Sequence, residues 1–251
     1  MKVSVIAGCY NEKENVHRFI ESVSGELREL GQDFEVVIID ESTDPETLRT
    51  ISRDEGSFSH LKTLKNIDRK GLLRSQVQGI NVAKGSIKIV MDCDMQHNPR
   101  YLKNIIESFD EGTEIIVMSR YIDGGRNGDK LTRKTISLCG RMICWILLPH
   151  SRKLSDPNSG YFAIKNLEFL PSLDVKGEKS LMYILSLHPE MRIKEIPYTF
   201  ERRKYGRSKL MTFSVITSFI KEVIVYRHLF NSTRRDGSEI KYFNEFHRFK
   251  N

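Results

Sequence analysis

The chain has 251 residues, 39% of them hydrophobic and 29% charged, and carries a net charge of +7. That size suits one larger α/β domain or a domain with a short appendage, and that balance excludes a disordered or fibrous chain. The positive charge favours anionic partners (nucleotide phosphates, nucleic acid or an acidic membrane surface) without choosing among them.

Val3–Cys9 reads as a buried strand, too short for a signal peptide and followed by the polar Asn11, Glu12 and Lys13. Val16, Phe19, Ile20, Val23, Leu27 and Leu30 then recur at helical spacing. Phe34–Ile39 is a second strand ending on Asp40, and Leu61–Leu64 is a weaker third. Leu72–Ala83 reads as a helix bounded by Gly85, and Ile87–Met91 as a strand ending on Asp92. Pro99 opens a helix that runs to Phe109, and Ile115–Met118 is a further strand. Strands that are apolar throughout and alternate with helices predict a mostly parallel sheet covered on both faces. Ligands of such sheets bind beyond the carboxyl ends of the strands. Those ends carry Tyr10-Asn11-Glu12, Asp40-Glu41-Ser42-Thr43-Asp44 and Asp92-Cys93-Asp94, which should converge on one site.

The second half changes character. Leu131–Leu148 and Lys209–Phe230 mix basic residues with aliphatic and aromatic ones, and read either as core-packing helices or as helices docked at a membrane interface. The polar, basic tail from Asn231 is expected to be poorly ordered. No uninterrupted apolar run approaches the ~18 residues of a membrane span. Cys9, Cys93, Cys139 and Cys144 have no CxxC spacing and no histidine cluster beside them. Neither a zinc site nor a disulfide framework is expected, and reduced thiols point to a cytosolic compartment.

The strongest chemical signal is Met91–Pro99. An Asp-x-Asp at a strand end places two carboxylates on one side of an extended segment, because side chains repeat every two residues. Such a pair suits a hard divalent ion whose shell is completed by substrate phosphate oxygens. A bare Asp-x-Asp is also compatible with a solvated turn.

With Asp92, Asp94, Gln96, His97 and Pro99, the chain resembles the family-2 glycosyltransferases, dolichol (polyprenol) phosphate mannose synthases in particular, whose strand-end motif is D-x-D-x-Q-H-x-P. Cys9 to Asn15, Asp40 to Asp44, Lys70-Gly71-Leu72, Ser119-Arg120-Tyr121, Asp156 to Phe162, and Ile196-Pro197 through Arg203, Gly206, Ser208, Lys209 and Leu210 resemble further family motifs in the family's order. Gly8, Glu41, Cys93 and Arg207 depart from them.

The resemblance implies a glycosyltransferase-A-like α/β fold with C-terminal amphipathic helices, divided into a transferase domain (1–210) and an interface helix with tail (211–251). It implies that Gly8, Tyr10, Glu12, Ile38 and Asp40 cradle base and ribose, with Met91, Cys93 and Lys209 also at the nucleotide. Asp92, Asp94 and Gln96 would hold Mg²⁺ or Mn²⁺. Arg120, Arg133, Ser137 and Arg203 would hold the acceptor's or donor's phosphates, with Asp94, Arg120 and Arg203 central to catalysis. The implied reaction is an inverting transfer of a hexose from a nucleoside diphosphate sugar to a polyprenyl or dolichyl phosphate. GDP-mannose is the leading donor and UDP-glucose the next. The implied setting is the cytosolic face of a membrane, with an anchoring subunit as a further partner and no nucleic acid. Family members that glycosylate hydroxyls usually carry a Glu-Asp base. Lys176–Leu181 has no such pair, which favours an acceptor that is already ionised. Glu178 keeps a hydroxyl acceptor open, and a non-catalytic binding protein on the same fold is the remaining alternative.

Overall fold

Strands β1 (Lys2–Cys9), β2 (Asp33–Asp40), β3 (Leu61–Lys65) and β4 (Ile87–Val90) are parallel neighbours in a computed structural model of the chain, which describes residues 2–66, 71–129, 131–171, 177, 179–202 and 213–236. β5 (Ile115–Ser119), β7 (Phe162–Lys165) and β8 (Ile193–Pro197) complete a seven-stranded sheet in the order β3-β2-β1-β4-β7-β5-β8. The short strands β6 (Arg126–Asn127) and β9 (Thr199–Phe200) pair separately. The sheet is mostly parallel, as expected, with one reversal: β7 runs antiparallel to both β4 and β5. Phe162, its first residue, pairs with Val90 and Val117 near the ends of those strands. The segment before β7, Asp156–Tyr161, therefore arrives at the same edge as the ends of β1, β2, β4 and β5.

Helices α1 (Val16–Glu29), α2 (Pro45–Ser57) and α4 (Leu102–Glu107) accompany one hydrophobic core, which includes Phe19, Ile38 and Met118. Helices α3 (Leu72–Val82), α5 (Leu131–Leu147), α6 (Ser180–Leu187) and α7 (Phe213–Asp236) contribute to a second, which includes Val77, Cys144, Ile184 and Tyr226. The two clusters divide alternate residues of the same strands, Ile6 and Val37 on one side and Val5 and Ile38 on the other, which is what a doubly covered sheet requires.

Periodicity alone does not find α2, because only Thr47, Ile51 and Asp54 of that helix are buried. What starts it is a cap: Asp44 accepts the Thr47 N–H at 2.9 Å, and Pro45 occupies the first turn. α6 is missed for the opposite reason. All eight of its residues are buried, so it has no stripe. The expected helix from Pro99 opens as a 3₁₀ turn (Pro99–Tyr101) before α4 begins.

α7 lies beyond the expected division at residue 210 and takes the core-packing course of the two expected for it. It buries Val223, Tyr226, Leu229 and Phe230 and packs on α5 and α6, so it closes the second core rather than standing apart from it. Each such side chain contributes ~1.5–3 kcal/mol by leaving water. The helix also continues to Asp236, six residues into the segment expected to be a polar tail. Among the described residues, no helix is long and apolar enough to cross a membrane.

Candidate active site

The ends of β1 and β2 are tied together by Asn11, whose backbone takes the left-handed conformation (φ 56°). Its side-chain oxygen accepts the N–H groups of Thr43 at 2.8 Å and Asp44 at 3.0 Å, while its own N–H donates to Ser42 Oγ at 2.9 Å. Asp40 is buried and accepts the Ser42 N–H at 2.9 Å, which turns the chain immediately after β2. Glu12 accepts from Asn15 Nδ2 at 2.8 Å and Tyr10 is exposed at the rim. Glu41 is bonded inward, accepting from Ser75 Oγ at 2.5 Å and Asn66 Nδ2 at 2.9 Å.

Tyr10, Glu12 and Asp40 thus meet at one edge, as the strand ends predict. Ile38, Met91 and Cys93 do not join them through their side chains. Ile38 and Met91 are fully buried, and Cys93 bonds the Gly8 carbonyl at 3.3 Å from inside the core. The physical reason is the covered sheet: Ile38 on β2 meets a core on its own face, and Met91 and Cys93, just past the end of β4, turn into the same core. A hydrogen bond with Cys9 and full burial push the Cys93 thiol well above its usual range, which keeps it neutral. At Gly8, a Cβ would lie 2.8 Å from Leu72 Cδ1, so the side chain of Leu72 approaches the end of β1 closely.

Beyond β4 the chain turns sharply through Asp92–Asn98, with Met95 held at φ 64°. His97 is the pivot of this turn. Its Nδ1 accepts the Asp92 N–H at 2.9 Å, and its ring stacks on Tyr161 with centroids 5.1 Å apart. Burial pushes its pKa down to about 4, against the opposing pull of Asp94, so the imidazole is neutral at pH 7. Asp94 caps the turn by accepting the Gln96 N–H at 3.0 Å. Gln96 is buried and exchanges two bonds with Glu201: its Nε2 donates to the Glu201 carbonyl at 2.9 Å, and its own carbonyl accepts the Glu201 N–H at 3.0 Å. Gly160 lies against the turn. A Cβ there would sit 3.3 Å from His97 Cε1 and 3.6 Å from Asp92 Oδ2, so glycine permits this approach.

Asp92, Asp94 and the Gln96 amide are hard oxygen donors of the kind Mg²⁺ or Mn²⁺ takes. Among the described residues, no group of three or more His, Cys, Asp or Glu side chains converges on a closed metal cage. The donor set therefore fits a divalent ion that takes the rest of its shell from water and substrate oxygens, and does not fit a structural zinc site.

On the other side of β5 the site turns cationic. Arg120 forks onto Asp156, with Nε–Oδ2 at 2.7 Å and Nη2–Oδ1 at 2.8 Å, and its own backbone N–H adds a third bond at 3.1 Å. Burial would lower the Arg120 pKa, but the bonds to Asp156 more than offset it, and the guanidinium stays charged. That edge of the fork is spent within the protein and holds the Asp156 segment in place. Glu195 on β8 secures the same segment by accepting the N–H groups of Ser155 and Asp156 at 2.8 and 3.0 Å. Sequence reading passed over Glu195, which carries no local signal beyond its place on a strand.

α5 presents the remaining cations. Arg133 pairs with Asp129 at 2.9 Å, one turn before it. Ser137 Oγ accepts from Tyr121 OH at 2.8 Å, and the Arg141 guanidinium lies between the rings of Tyr121 and Trp145, 4.6 and 4.4 Å from their centroids. The Nε–H groups of Arg133 and Arg141 are buried without a partner among the described residues. Buried donors of this kind carry a desolvation cost of ~1–3 kcal/mol each unless something accepts from them. Arg203, Lys209, Glu178 and Lys70 lie outside the described residues.

Comparison with known proteins gives a consistent picture. The family described as glycosyl transferase family 2 matches residues 4–167. A dolichol-phosphate mannosyltransferase of Pyrococcus furiosus is 34% identical over 84% of this chain, which spans 59% of that relative's length. The dolichol-phosphate mannosyltransferase of Saccharomyces cerevisiae is 27% identical, over 90% of this chain and 88% of its own. Among solved structures, glucosyl-3-phosphoglycerate synthase of Mycobacterium tuberculosis, in complex with Mn²⁺, UDP-glucose and glycerol 3-phosphate, superposes with a TM-score of 0.62 at 18% identity. That match covers 94% of this chain and 80% of the other. At such identity the likeness establishes a shared fold, the glycosyltransferase-A-like arrangement that the motifs implied.

Proposed function

This chain belongs to glycosyl transferase family 2, and on that premise we propose that it transfers a hexose, mannose in the first place, from a nucleoside diphosphate sugar to a polyprenyl or dolichyl phosphate. The observation that carries this reading is a change of sign across one sheet edge. Asp92 and Asp94 stand at the end of β4, and buried guanidinium N–H donors of Arg133 and Arg141 stand on α5 with nothing in the described protein to accept from them. The acids suit the metal-bridged diphosphate of a donor. The unmet donors suit an anionic acceptor, because an arginine's planar fork takes phosphate oxygens in pairs. The named relatives from Pyrococcus furiosus and Saccharomyces cerevisiae support the choice of mannose and of a dolichol phosphate.

In this reading Tyr10, Glu12 and Asp40 receive the nucleoside, and Asp92, Asp94 and Gln96 hold Mg²⁺ or Mn²⁺. The metal supplies charge stabilisation for the departing diphosphate. Ser137 and Arg133 hold the acceptor's phosphate in line with the anomeric carbon. The phosphate needs no base because it is already ionised, so one inverting displacement suffices. Arg203 and Lys209 are proposed to add positive charge at the phosphates, on the strength of the sequence motif alone. The protein works at a membrane surface facing the cytosol. α5 supports that placement: Leu131, Met142 and Ile146 are 80%, 51% and 63% exposed on its outer face, where Leu138 and Lys134 are exposed too.

The deciding experiment assays purified protein with GDP-mannose and UDP-glucose against dolichyl phosphate and soluble glycans, with and without a chelator. We expect transfer of mannose to the lipid phosphate, abolished by the chelator and restored by Mn²⁺. Transfer confined to soluble hydroxyl acceptors, or indifference to the chelator, would overturn the assignment.

A further inference from the structure

Lys179 stands at the N-cap of α6, with φ −120° and ψ 73° and no side-chain cap of its own. A cation is a poor choice there, since the helix start already carries a partial positive charge. The backbone around it is nevertheless held tightly. The Lys179 N–H donates to Glu222 Oε1 of α7 at 2.7 Å, and the same oxygen accepts from Tyr226 OH at 2.7 Å. The next residue, Ser180, donates to Gln76 Oε1 of α3 at 2.5 Å. Two residues before, Gly177 accepts the Leu73 N–H at 2.9 Å, and a Cβ on it would meet Glu222 Oε1 at 2.8 Å. Helices α3 and α7 thus fix where Lys179 projects.

It projects toward Asn158, whose carbonyl its Nζ meets at a long 3.5 Å. Asn158 is a junction. Its side chain faces α5, accepting from Cys144 Sγ at 3.5 Å and standing 3.2 Å from where a Gly140 Cβ would be. Gly140 is one turn beyond Ser137. Two residues after Asn158, Gly160 approaches Asp92 and His97. The ammonium therefore lies against the Asp156–Tyr161 segment, whose Asn158 side chain reaches α5 at Gly140 and whose Gly160 reaches the Asp92–Asn98 turn. Its charge reaches His97 and lowers that pKa further. No carboxylate pairs with Lys179 among the described residues. A cation held by a rigid backbone, opposed to its helix and matched with no acid, is placed for an anion that arrives from outside.

We propose that Lys179 contacts the phosphate of the acceptor, an inference that rests on the phosphate-acceptor reading above. The test compares Lys179→Met, Lys179→Gln and Lys179→Arg with the wild type. With dolichyl phosphate as acceptor, loss of one charge-assisted contact should lower kcat/KM by about ten- to a hundredfold, chiefly through KM, and Lys179→Arg should recover most of it. Affinity for guanosine and uridine diphosphate in the presence of Mn²⁺, measured by calorimetry, should stay within about twofold. The melting temperature of the neutral variants should be unchanged or higher, because a charge that opposes the helix dipole has gone; a purely structural lysine would lower it. Equal loss of nucleotide affinity would move Lys179 to the donor and overturn the proposal, as would wild-type kinetics in both neutral variants. If the wild type itself turns over only soluble acceptors, the phosphate reading fails with it. If the wild type uses dolichyl phosphate and Lys179→Met is unaffected, only this inference falls.

Discussion

The turn from Asp92 to Asn98 and the segment from Asp156 to Tyr161 face one another at the same sheet edge, yet they are held by different physics. The first is shaped by neutral bonds: a buried uncharged imidazole accepts from the Asp92 backbone, and Gln96 exchanges amide bonds with Glu201. The second is held by full charges, with Arg120 forked onto the buried Asp156 and Glu195 clasping two successive N–H groups. The difference follows from what each must present. A neutral His97 adds no positive charge beside Asp92 that would compete with a divalent ion. The Asp156 segment needs no ligand to be stable, because its charge is already compensated. It can therefore serve as a rigid wall whose Gly160 faces the turn.

The comparison can be broken most severely at Asp94. Asp94→Ala should lower turnover by about a thousandfold or more, the several kcal/mol that a metal contributes to the transition state. Thermal unfolding should fall by only a few degrees, the ~1 kcal/mol of one lost cap. Near-normal turnover in the assay with Mn²⁺ would remove the metal from this turn.

The opposite signature is expected across the edge. Asp156→Ala strands a buried guanidinium and should cost ~3–5 kcal/mol, or roughly 10 °C in melting temperature. Arg120→Met should cost a similar amount, and the double variant much less than the sum of the two. Additive losses would mean that Arg120 and Asp156 do not act as a pair.

Acid should act on the first segment through His97. Its folded pKa of about 4 lies below the ordinary 6.5, so the unfolded chain binds the proton more tightly. Stability is fully present above pH 6.5 and is lost as pH falls toward 4, by ~3 kcal/mol for a shift of this size. His150, its ring tilted against that of Phe230 at 4.3 Å and its pKa also pushed down to about 4 by burial, adds to the same window. Urea titrations between pH 7 and pH 4 should show the decline, and His97→Gln should flatten part of it. An unchanged profile in that variant would show His97 to be solvated.

A smaller change sharpens the contact between the two segments. Gly160→Ala adds a methyl 3.3 Å from His97 Cε1 and 3.6 Å from Asp92 Oδ2. We expect about 1 kcal/mol of destabilisation and a severalfold higher Mn²⁺ requirement, read from a metal titration of activity. Full metal affinity would show that the turn yields without moving Asp92.

The smallest effect on stability is expected on the outer face of α5. Met142→Glu with Ile146→Glu should change unfolding by no more than ~0.5 kcal/mol per site. Binding to anionic vesicles, weakest at high salt, should nonetheless fall. Undiminished binding would shift the membrane role elsewhere, for instance to the outer face of α7, where Lys221 and Arg227 are exposed.

Much of this was legible in the chain itself. β-branched runs without alternation specified covered strands, and the acids at their ends specified the edge, because both signals are local. Asn11, Asp40 and Asp92 lie where those runs end. The roles that needed a partner were not legible. Arg120 gives no sign of its internal partner until β7 reverses and delivers Asp156, thirty-six residues away, onto its fork. α5 and α7 look alike as strings of basic and apolar residues, and only packing decided that α7 closes the core while α5 leaves Met142 and Ile146 in solvent. α6 has no stripe to read, since every side is buried, and with it went the position of Lys179. Sequence period reports which face of an element is apolar. It carries no record of what stands opposite, and it is the opposite group that decides whether a charge is structural or waits for a ligand.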